Sequence, residues 1–213
     1  KEVYLKKYQL SFLKSIDEQN TIRAPFLLHP IFLEICFNNR LLEFITLVMG
    51  DNFILNQQNV IINPAKDKYN QLFWHRDLPY QHFTSSKPLA LNALFCLDDF
   101  TKENGCTKVL PGSHLFESFP SEDYISSEQQ HIESPRGNFL VLDSMTYHSG
   151  TENISKLDRV GINNVFSIPL IKRQIEVGKE DFDYQVSKLN KTHLDKLLNF
   201  STPQSVPEFL NDR

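Results

Sequence analysis

Three residues of this sequence together carry the side chains that bind a transition metal. His75 and Asp77 are separated by one residue, and on an extended strand residues two apart point to the same face. His148 follows a predicted strand at residues 138–142. Two histidines and one carboxylate form the facial triad of non-haem Fe(II) oxygenases, which leaves coordination positions open. We therefore predict that His75, Asp77 and His148 bind a metal ion and are catalytic.

One arginine is spaced to serve a co-substrate of such a metal. Arg159 comes 11 residues after His148, where the predicted strand 160–168 begins. The open positions of a facial iron site can hold a bidentate 2-oxo acid and O2, and a 2-oxo acid needs its distal carboxylate anchored. A guanidinium binds a carboxylate through two parallel hydrogen bonds. If a turn joins two antiparallel strands here, Arg159 returns to the metal and is predicted to anchor the co-substrate.

Three amides are further candidates for the binding site. Gln57 and Asn59 share one face of the predicted strand 53–63, and Asn92 interrupts the apolar strand 89–97. A buried amide needs a hydrogen-bond partner. We expect Gln57 and Asn59 to hydrogen-bond the co-substrate or the substrate, and Asn92 to contact the co-substrate.

The elements that must position these residues change along the chain. Residues 1–50 have apolar side chains at helical spacing, namely Leu5, Tyr8, Phe12 and Ile16, then Ile31, Ile35, Leu42, Ile45 and Met49. Residues 51–175 contain strand-like segments at 53–63, 89–97, 106–110, 138–142 and 160–168, with turns at Asn104-Gly105 and Pro111-Gly112. The tail is again predicted helical. We expect one domain over residues 1–213, with a β-rich sandwich or barrel as its core.

Composition excludes several classes of protein. The chain has 213 residues, 40% hydrophobic and 23% charged, which is ordinary for a globular domain. Its net charge is −4 and its basic residues are dispersed, so nucleic acid is not the expected partner. No apolar run approaches the ~18 residues of a membrane helix.

The N-terminus resembles no signal peptide, and three unpaired cysteines favour a reducing compartment, so we predict a cytoplasmic protein. The sequence leaves the oligomeric state open.

From about residue 71 to residue 169, the chain resembles the phytanoyl-CoA dioxygenase family of Fe(II)/2-oxoglutarate oxygenases. The matching blocks, in the family's order and spacing, are residues 74–77, 97–106, 109–114, 137–139 and 148–155, closing on Arg159. The resemblance implies a mainly β fold, the double-stranded β-helix (a cupin-like jelly roll), with flanking α-helices.

The resemblance also implies a reaction and its cofactors. It assigns His75, Asp77 and His148 to Fe(II), and Arg159 to the C5 carboxylate of 2-oxoglutarate. It implies that 2-oxoglutarate and O2 become succinate and CO2 while a small-molecule substrate is hydroxylated. Two alternatives remain: a cupin-like hydrolase or isomerase with Zn(II) or Mn(II), since His, His and Asp also suit zinc, and a non-catalytic sensor of metal or 2-oxoglutarate. Dependence on 2-oxoglutarate and O2 separates them.

Overall fold

The N-terminal region is helical, as predicted, but it is divided into short helices. A computed structural model describes residues 1–78 and 83–175 and the single positions 193 and 207. Within residues 1–50 the helices are α1 (Glu2–Tyr8), α2 (Leu10–Ser15), α3 (Ile31–Cys36) and α4 (Asn39–Met49). A further helix, α5 (Glu122–Glu128), was not predicted. The predicted C-terminal helix lies outside the described residues.

Local signals explain where the helices break. Gln9 has a φ of 57°, which separates α1 from α2 and rotates the second helix relative to the first. The predicted apolar face is therefore wrong: Phe12 and Ile16 are about half exposed, and Tyr4 and Leu13 are buried instead. α4 begins at an Asn38 side chain that accepts from a backbone N–H of its first turn. The helix ends at Gly50, as predicted, and the φ of Gly50 is 80°.

The described strands are all antiparallel and form two sheets. They are β1 (Thr21–Arg23), β2 (Ile54–Asn63), β3 (Ala90–Cys96), β4 (Thr107–Val109), β5 (Gln130–Ile132), β6 (Phe139–Asp143), β7 (His148–Gly150) and β8 (Arg159–Ser167). The large sheet has the order β1-β2-β8-β3-β6, and the small sheet has the order β5-β4-β7. The prediction of a mainly β protein with flanking helices is confirmed. The five predicted strands correspond to β2, β3, β4, β6 and β8.

The placement of Arg159 was conditional on a hairpin between the strand of His148 and the strand of Arg159, and these two strands do not pair with each other. β7 pairs with β4 in the small sheet, and β8 pairs with β2 and β3 in the large sheet. The chain between β7 and β8 therefore crosses from one sheet to the other. Arg159 still begins its strand beside the site, because the two sheets face each other there.

The large sheet has an outer face that packs against the helices and an inner face that lines the site. Side chains such as Leu91, Ala93 and Phe166 pack on the outer face against the helices. A bulge in β2 adds one residue between Leu55 and Gln57. Such a bulge re-aims the residues that follow it. As a result Leu55 stays in the helix-facing core, whereas Gln57, two residues further along, lies on the inner face. Asn59 follows Gln57 on that inner face.

The three cysteines are free and buried, as predicted. None of the helices in the described part of the chain has the length and apolar character needed to cross a membrane. The cytoplasmic location and the single-domain organisation stay predictions.

Gly105 makes a closer backbone approach than any other residue type permits. Its φ is 89°, and a Cβ at this position would overlap the Asn63 side chain and the Thr151 carbonyl oxygen. Gly105→Ala is therefore expected to lower the free energy of unfolding by about 3 kcal/mol, the upper part of the usual range for single substitutions. Gly112 is the matched control, because its φ is 77° but its Cβ would meet nothing within 4 Å. Gly112→Ala should cost only about 1 kcal/mol of backbone strain. Urea unfolding of the three proteins measures both values, and equal losses would contradict the steric argument.

Candidate active site

The structure brings the three predicted metal ligands together between the two sheets. The His75 Nε2 and the His148 Nε2 each lie 3.6 Å from the Asp77 Oδ1. The three ligand atoms all lie within 4.8 Å of one another. Bonds of about 2.1 Å from one ion to each atom would give separations of this order. His75 and His148 also exchange backbone hydrogen bonds in an isolated antiparallel bridge, which joins the segment before Asp77 to β7.

Both imidazoles are oriented as metal ligands. The His75 Nδ1 lies 2.8 Å from the Phe73 carbonyl oxygen, and the His148 Nδ1 lies 2.9 Å from the Thr146 carbonyl oxygen. A carbonyl can only accept, so each Nδ1 carries the proton and each Nε2 keeps a free lone pair. This is the tautomer that a metal needs, fixed before the metal arrives.

The carboxylate between the imidazoles stays ionised. Burial opposes its charge, but the adjacent His148 and the hydrogen-bonded His75 outweigh burial and lower the pKa of Asp77 to about 2. For His148, burial is dominant and lowers its pKa. Burial acts the same way on His75, yet hydrogen bonding and attraction from Asp77 raise the pKa of that imidazole.

Two inner-face amides hold the second oxygen of Asp77. Asn92 and Asn163 both donate to the Asp77 Oδ2, the latter at 3.4 Å. The Asn92 Oδ1 in turn accepts from the Ser144 hydroxyl at 2.6 Å. Asn92 was predicted to contact the co-substrate; it lines the same pocket as Arg159, and its described hydrogen bonds orient the metal-binding carboxylate.

Asn92→Ala is expected to weaken Fe(II) binding about 10–100-fold, because groups that orient metal ligands contribute on that scale. Asn164 provides the control: it is a fully buried amide of the same sheet, but it donates to the Ala93 carbonyl on the helix-facing side. Asn164→Ala should destabilise the fold and leave iron affinity unchanged. Anaerobic calorimetric titration of both variants with Fe(II) measures the difference. If both variants lost iron affinity equally, the amide would have no specific role at the metal.

Arg159 is a buried cation in the pocket beside the triad. It is 2% exposed, its Nη2 donates to the Gly105 carbonyl at 2.8 Å, and its guanidinium stacks on Phe100 at 4.1 Å. Its Nε has no hydrogen-bond partner in residues 1–78 and 83–175. Within the described residues no carboxylate forms an ion pair with it. A buried charge without a counter-ion is costly, so this position calls for an anionic ligand.

Tyr69 completes this end of the pocket, and sequence reasoning missed it. Burial raises the pKa of its phenol, and the charge and hydrogen bonding of the neighbouring Arg159 oppose that rise. The neutral hydroxyl is thus available as a donor next to the guanidinium. Gly150 permits this placement, since a Cβ there would lie 2.6 Å from the Tyr69 ring. No motif surrounds Tyr69, so no signal in the sequence could have identified it.

Gln57 and Asn59 do not line the Arg159 pocket. They line a second cleft that adjoins this pocket, together with Thr21, Arg23, Gln71 and Gln174. The two spaces share Ile61, Gln71, His75, Asp77 and Asn163. Two of the three metal ligands, His75 and Asp77, therefore lie at the junction of a pocket with a buried cation and a cleft lined by amides, whereas His148 lines the pocket.

Comparisons with known proteins agree with this architecture. The family model of phytanoyl-CoA dioxygenase (PhyH) matches residues 13–161. Rv1501 of Mycobacterium tuberculosis is 31% identical over 150 residues, which are 68% of this chain and 53% of that protein. The Aspergillus calidoustus protein named iron/alpha-ketoglutarate-dependent dioxygenase ausO is 33% identical over 95 residues, covering 43% of this chain and 32% of its own. The chain thus spans about half, or less, of the length of these relatives.

Solved structures share the fold. EctD from S. alaskensis, crystallised with 2-oxoglutarate and 5-hydroxyectoine, superimposes with a TM-score of 0.61 at 20% identity, covering 71% of this chain and 57% of its own. The epimerase SnoN, in complex with Fe3+, alpha ketoglutarate and nogalamycin RO, has a TM-score of 0.58 at 20% identity, with coverages of 69% and 62%. These likenesses confirm the predicted double-stranded β-helix fold.

Proposed function

The chain belongs to the phytanoyl-CoA dioxygenase family, and we propose that it is a dioxygenase that uses Fe(II), 2-oxoglutarate and O2 to hydroxylate a small molecule. The observation that carries the proposal is the placement of Arg159. A buried guanidinium without a carboxylate partner among the described residues lines the same pocket as two histidines and an aspartate. A metal alone would not require this cation, whereas a dicarboxylate that binds the metal at one end would.

His75, Asp77 and His148 would hold the iron, and Arg159 would hold the C5 carboxylate of 2-oxoglutarate. Bound iron and 2-oxoglutarate together supply the oxidising power for O2-dependent attack on a C–H bond. The chain's own residues contribute position and polarity. The backbone carbonyls of Phe73 and Thr146 fix the two imidazoles.

Several groups shape the end of the pocket that would bind the C5 carboxylate. The Gly105 carbonyl and the Phe100 ring keep the guanidinium in place before the ligand arrives. The Tyr69 hydroxyl can donate to the same carboxylate. The apolar side chains of Ile61, Leu94 and Leu142 line the same pocket as Arg159 and the triad. These side chains suit the methylene carbons of 2-oxoglutarate and limit water near the metal.

The residues of the site also bear on the two alternative functions, a zinc or manganese enzyme and a non-catalytic sensor. Zinc or manganese would bind two histidines and a carboxylate equally well. A hydrolase or an isomerase would need the buried Arg159 only if its own substrate brought an anionic group into this pocket. A non-catalytic sensor of 2-oxoglutarate would need the same residues, and product formation is what separates it from an enzyme.

An anaerobic titration tests the proposed function. Fe(II) is added to the apo-protein, 2-oxoglutarate follows, and visible absorbance is recorded. We expect a weak metal-to-ligand charge-transfer band only when both are present, and succinate once O2 and a substrate are supplied. Iron binding without the band would exclude bidentate 2-oxoglutarate and favour the zinc or manganese enzyme. A band without succinate in the presence of substrate would favour the sensor.

A further inference from the structure

We propose that the amide-lined cleft next to His75 and Asp77 binds a neutral polyhydroxylated substrate, such as a polyol or a glycosyl group. This inference rests on the proposed function, because it assigns the substrate side of the same metal centre. The cleft is open to solvent and has a cavity volume of about 200 Å³. It reaches His75 and Asp77, so a molecule bound there has its carbon atoms beside the metal position.

A row of polar side chains crosses the large sheet and ends at the metal ligand. Arg23 of β1 is the register partner of Asn59 of β2, and Asn59 is the register partner of Asn163 of β8. Asn163 then donates to Asp77 at 3.4 Å. Gln57 contacts the Asn59 amide at 3.1 Å, beside this row. An inner sheet face with amides at these positions offers alternating donors and acceptors along the floor of the cleft.

Among the described residues, the two arginines that line the cleft already have partners. The Arg23 Nε and Nη2 bind both carboxylate oxygens of Glu18, at 3.0 and 2.5 Å. With the Asn59 amide turned so that its oxygen faces Arg23, that oxygen accepts from the Arg23 Nη1 at 3.3 Å. The Arg76 guanidinium donates to the carbonyls of Ser113 and Phe116, stacks on Tyr147, and has the Asp143 carboxylate near enough to attract it. A carboxylate, phosphate or ammonium in this cleft would lose hydration and meet no unpaired opposite charge among the described side chains.

Hydroxyl groups match the groups that line the cleft. A hydroxyl both donates and accepts, as an amide does, so each can satisfy the other. The Asn163 Oδ1 is a buried acceptor that has no partner in the described part of the chain, so it can accept from a donor of the ligand. Outside the triad, Ile61 supplies the aliphatic lining among the described residues. A fatty acyl chain would therefore bury its methylenes against unsatisfied amides, which is unfavourable.

The test uses the anaerobic complex with Fe(II) and 2-oxoglutarate. If the proposed function is wrong, the charge-transfer band is absent before any probe is added. Probes are then added and the change in the band is titrated. The neutral probes are methyl hexopyranosides and myo-inositol. The matched charged probes are the corresponding methyl glucuronoside and methyl glucosaminide, and the apolar probe is the uncharged alcohol 1-octanol. We expect a saturable change with at least one polyhydroxylated neutral probe and none with 1-octanol. A response to octyl glucoside but not to myo-inositol or the methyl glycosides would identify a glycosyl group on a larger molecule as the source.

Variants connect that response to the cleft. Gln57→Leu should weaken the neutral probe about five- to tenfold, the contribution of a lost hydrogen bond. Gln130 of β5 is exposed and outside the cleft, so Gln130→Leu should have no effect. Glu18→Gln removes the counter-ion of Arg23 and should shift preference towards the glucuronoside. A band that responds only to charged or apolar probes overturns the proposal, and so does a band that responds to no neutral probe up to its solubility limit.

Discussion

Replacing Asp77 with alanine is expected to abolish Fe(II)-dependent turnover of 2-oxoglutarate. Asp77 supplies the one carboxylate of the triad, and its Oδ1 lies 3.6 Å from both imidazole Nε2 atoms. Without it, two histidines remain and no anionic ligand offsets the charge of the metal. Iron affinity should fall more than about 100-fold, since even groups that merely orient a metal ligand contribute about 10–100-fold.

Two further substitutions separate loss of the metal from loss of the fold. Asp77→Glu keeps the carboxylate but lengthens the side chain, so weak iron binding should return. Asp123 is exposed in the first turn of α5, and Asp123→Ala should change neither iron binding nor turnover. Calorimetry with Fe(II) and a succinate assay measure both properties. An Asp77→Ala protein that still turned over 2-oxoglutarate, without added halide or carboxylate, would contradict the assignment of the triad.

Arg159→Leu is expected to raise the 2-oxoglutarate requirement strongly and to leave the iron requirement unchanged. The substitution removes the buried cation and retains an apolar side chain beside Phe100. Truncating one member of a buried charged pair costs about 2–5 kcal/mol. The KM for 2-oxoglutarate should therefore rise about 30- to 4,000-fold.

The test is specific because the affinities for iron and for 2-oxoglutarate are measured separately. Iron affinity is measured first without 2-oxoglutarate, and the charge-transfer band is then titrated with 2-oxoglutarate. Arg159→Lys should recover part of the loss, because a lysine supplies the charge without two parallel hydrogen bonds. Arg136 is an exposed arginine whose backbone N–H, rather than its side chain, contacts Asp99, so Arg136→Leu is the matched control. If Arg159→Leu weakened iron and 2-oxoglutarate equally, the arginine would be stabilising the whole site and not anchoring a carboxylate.

The strands of the core were predictable because each is a run of apolar or β-branched residues closed by turn residues. The predicted segment 53–63 became β2 (Ile54–Asn63), and the segment 89–97 became β3 (Ala90–Cys96). Helix faces were less predictable. A single residue with a positive φ, Gln9, separates the first two helices and changes their orientation. Glutamine is not a residue type that indicates a positive φ.

The sequence by itself determined which chemistry is available: two histidines and an aspartate at spacings that suit a strand, followed by an arginine for a carboxylate. These predictions needed only side-chain type and the period of a strand, which are local properties. The tertiary structure decided which of the two spaces beside the metal each polar residue lines. The bulge in β2 turns Gln57 and Asn59 towards the cleft, and the crossing between sheets brings Arg159 to the adjoining pocket. Tyr69 reaches Arg159 because Gly150 leaves room for its ring. Such contacts join residues that are distant in the chain, and only packing of the two sheets determines them.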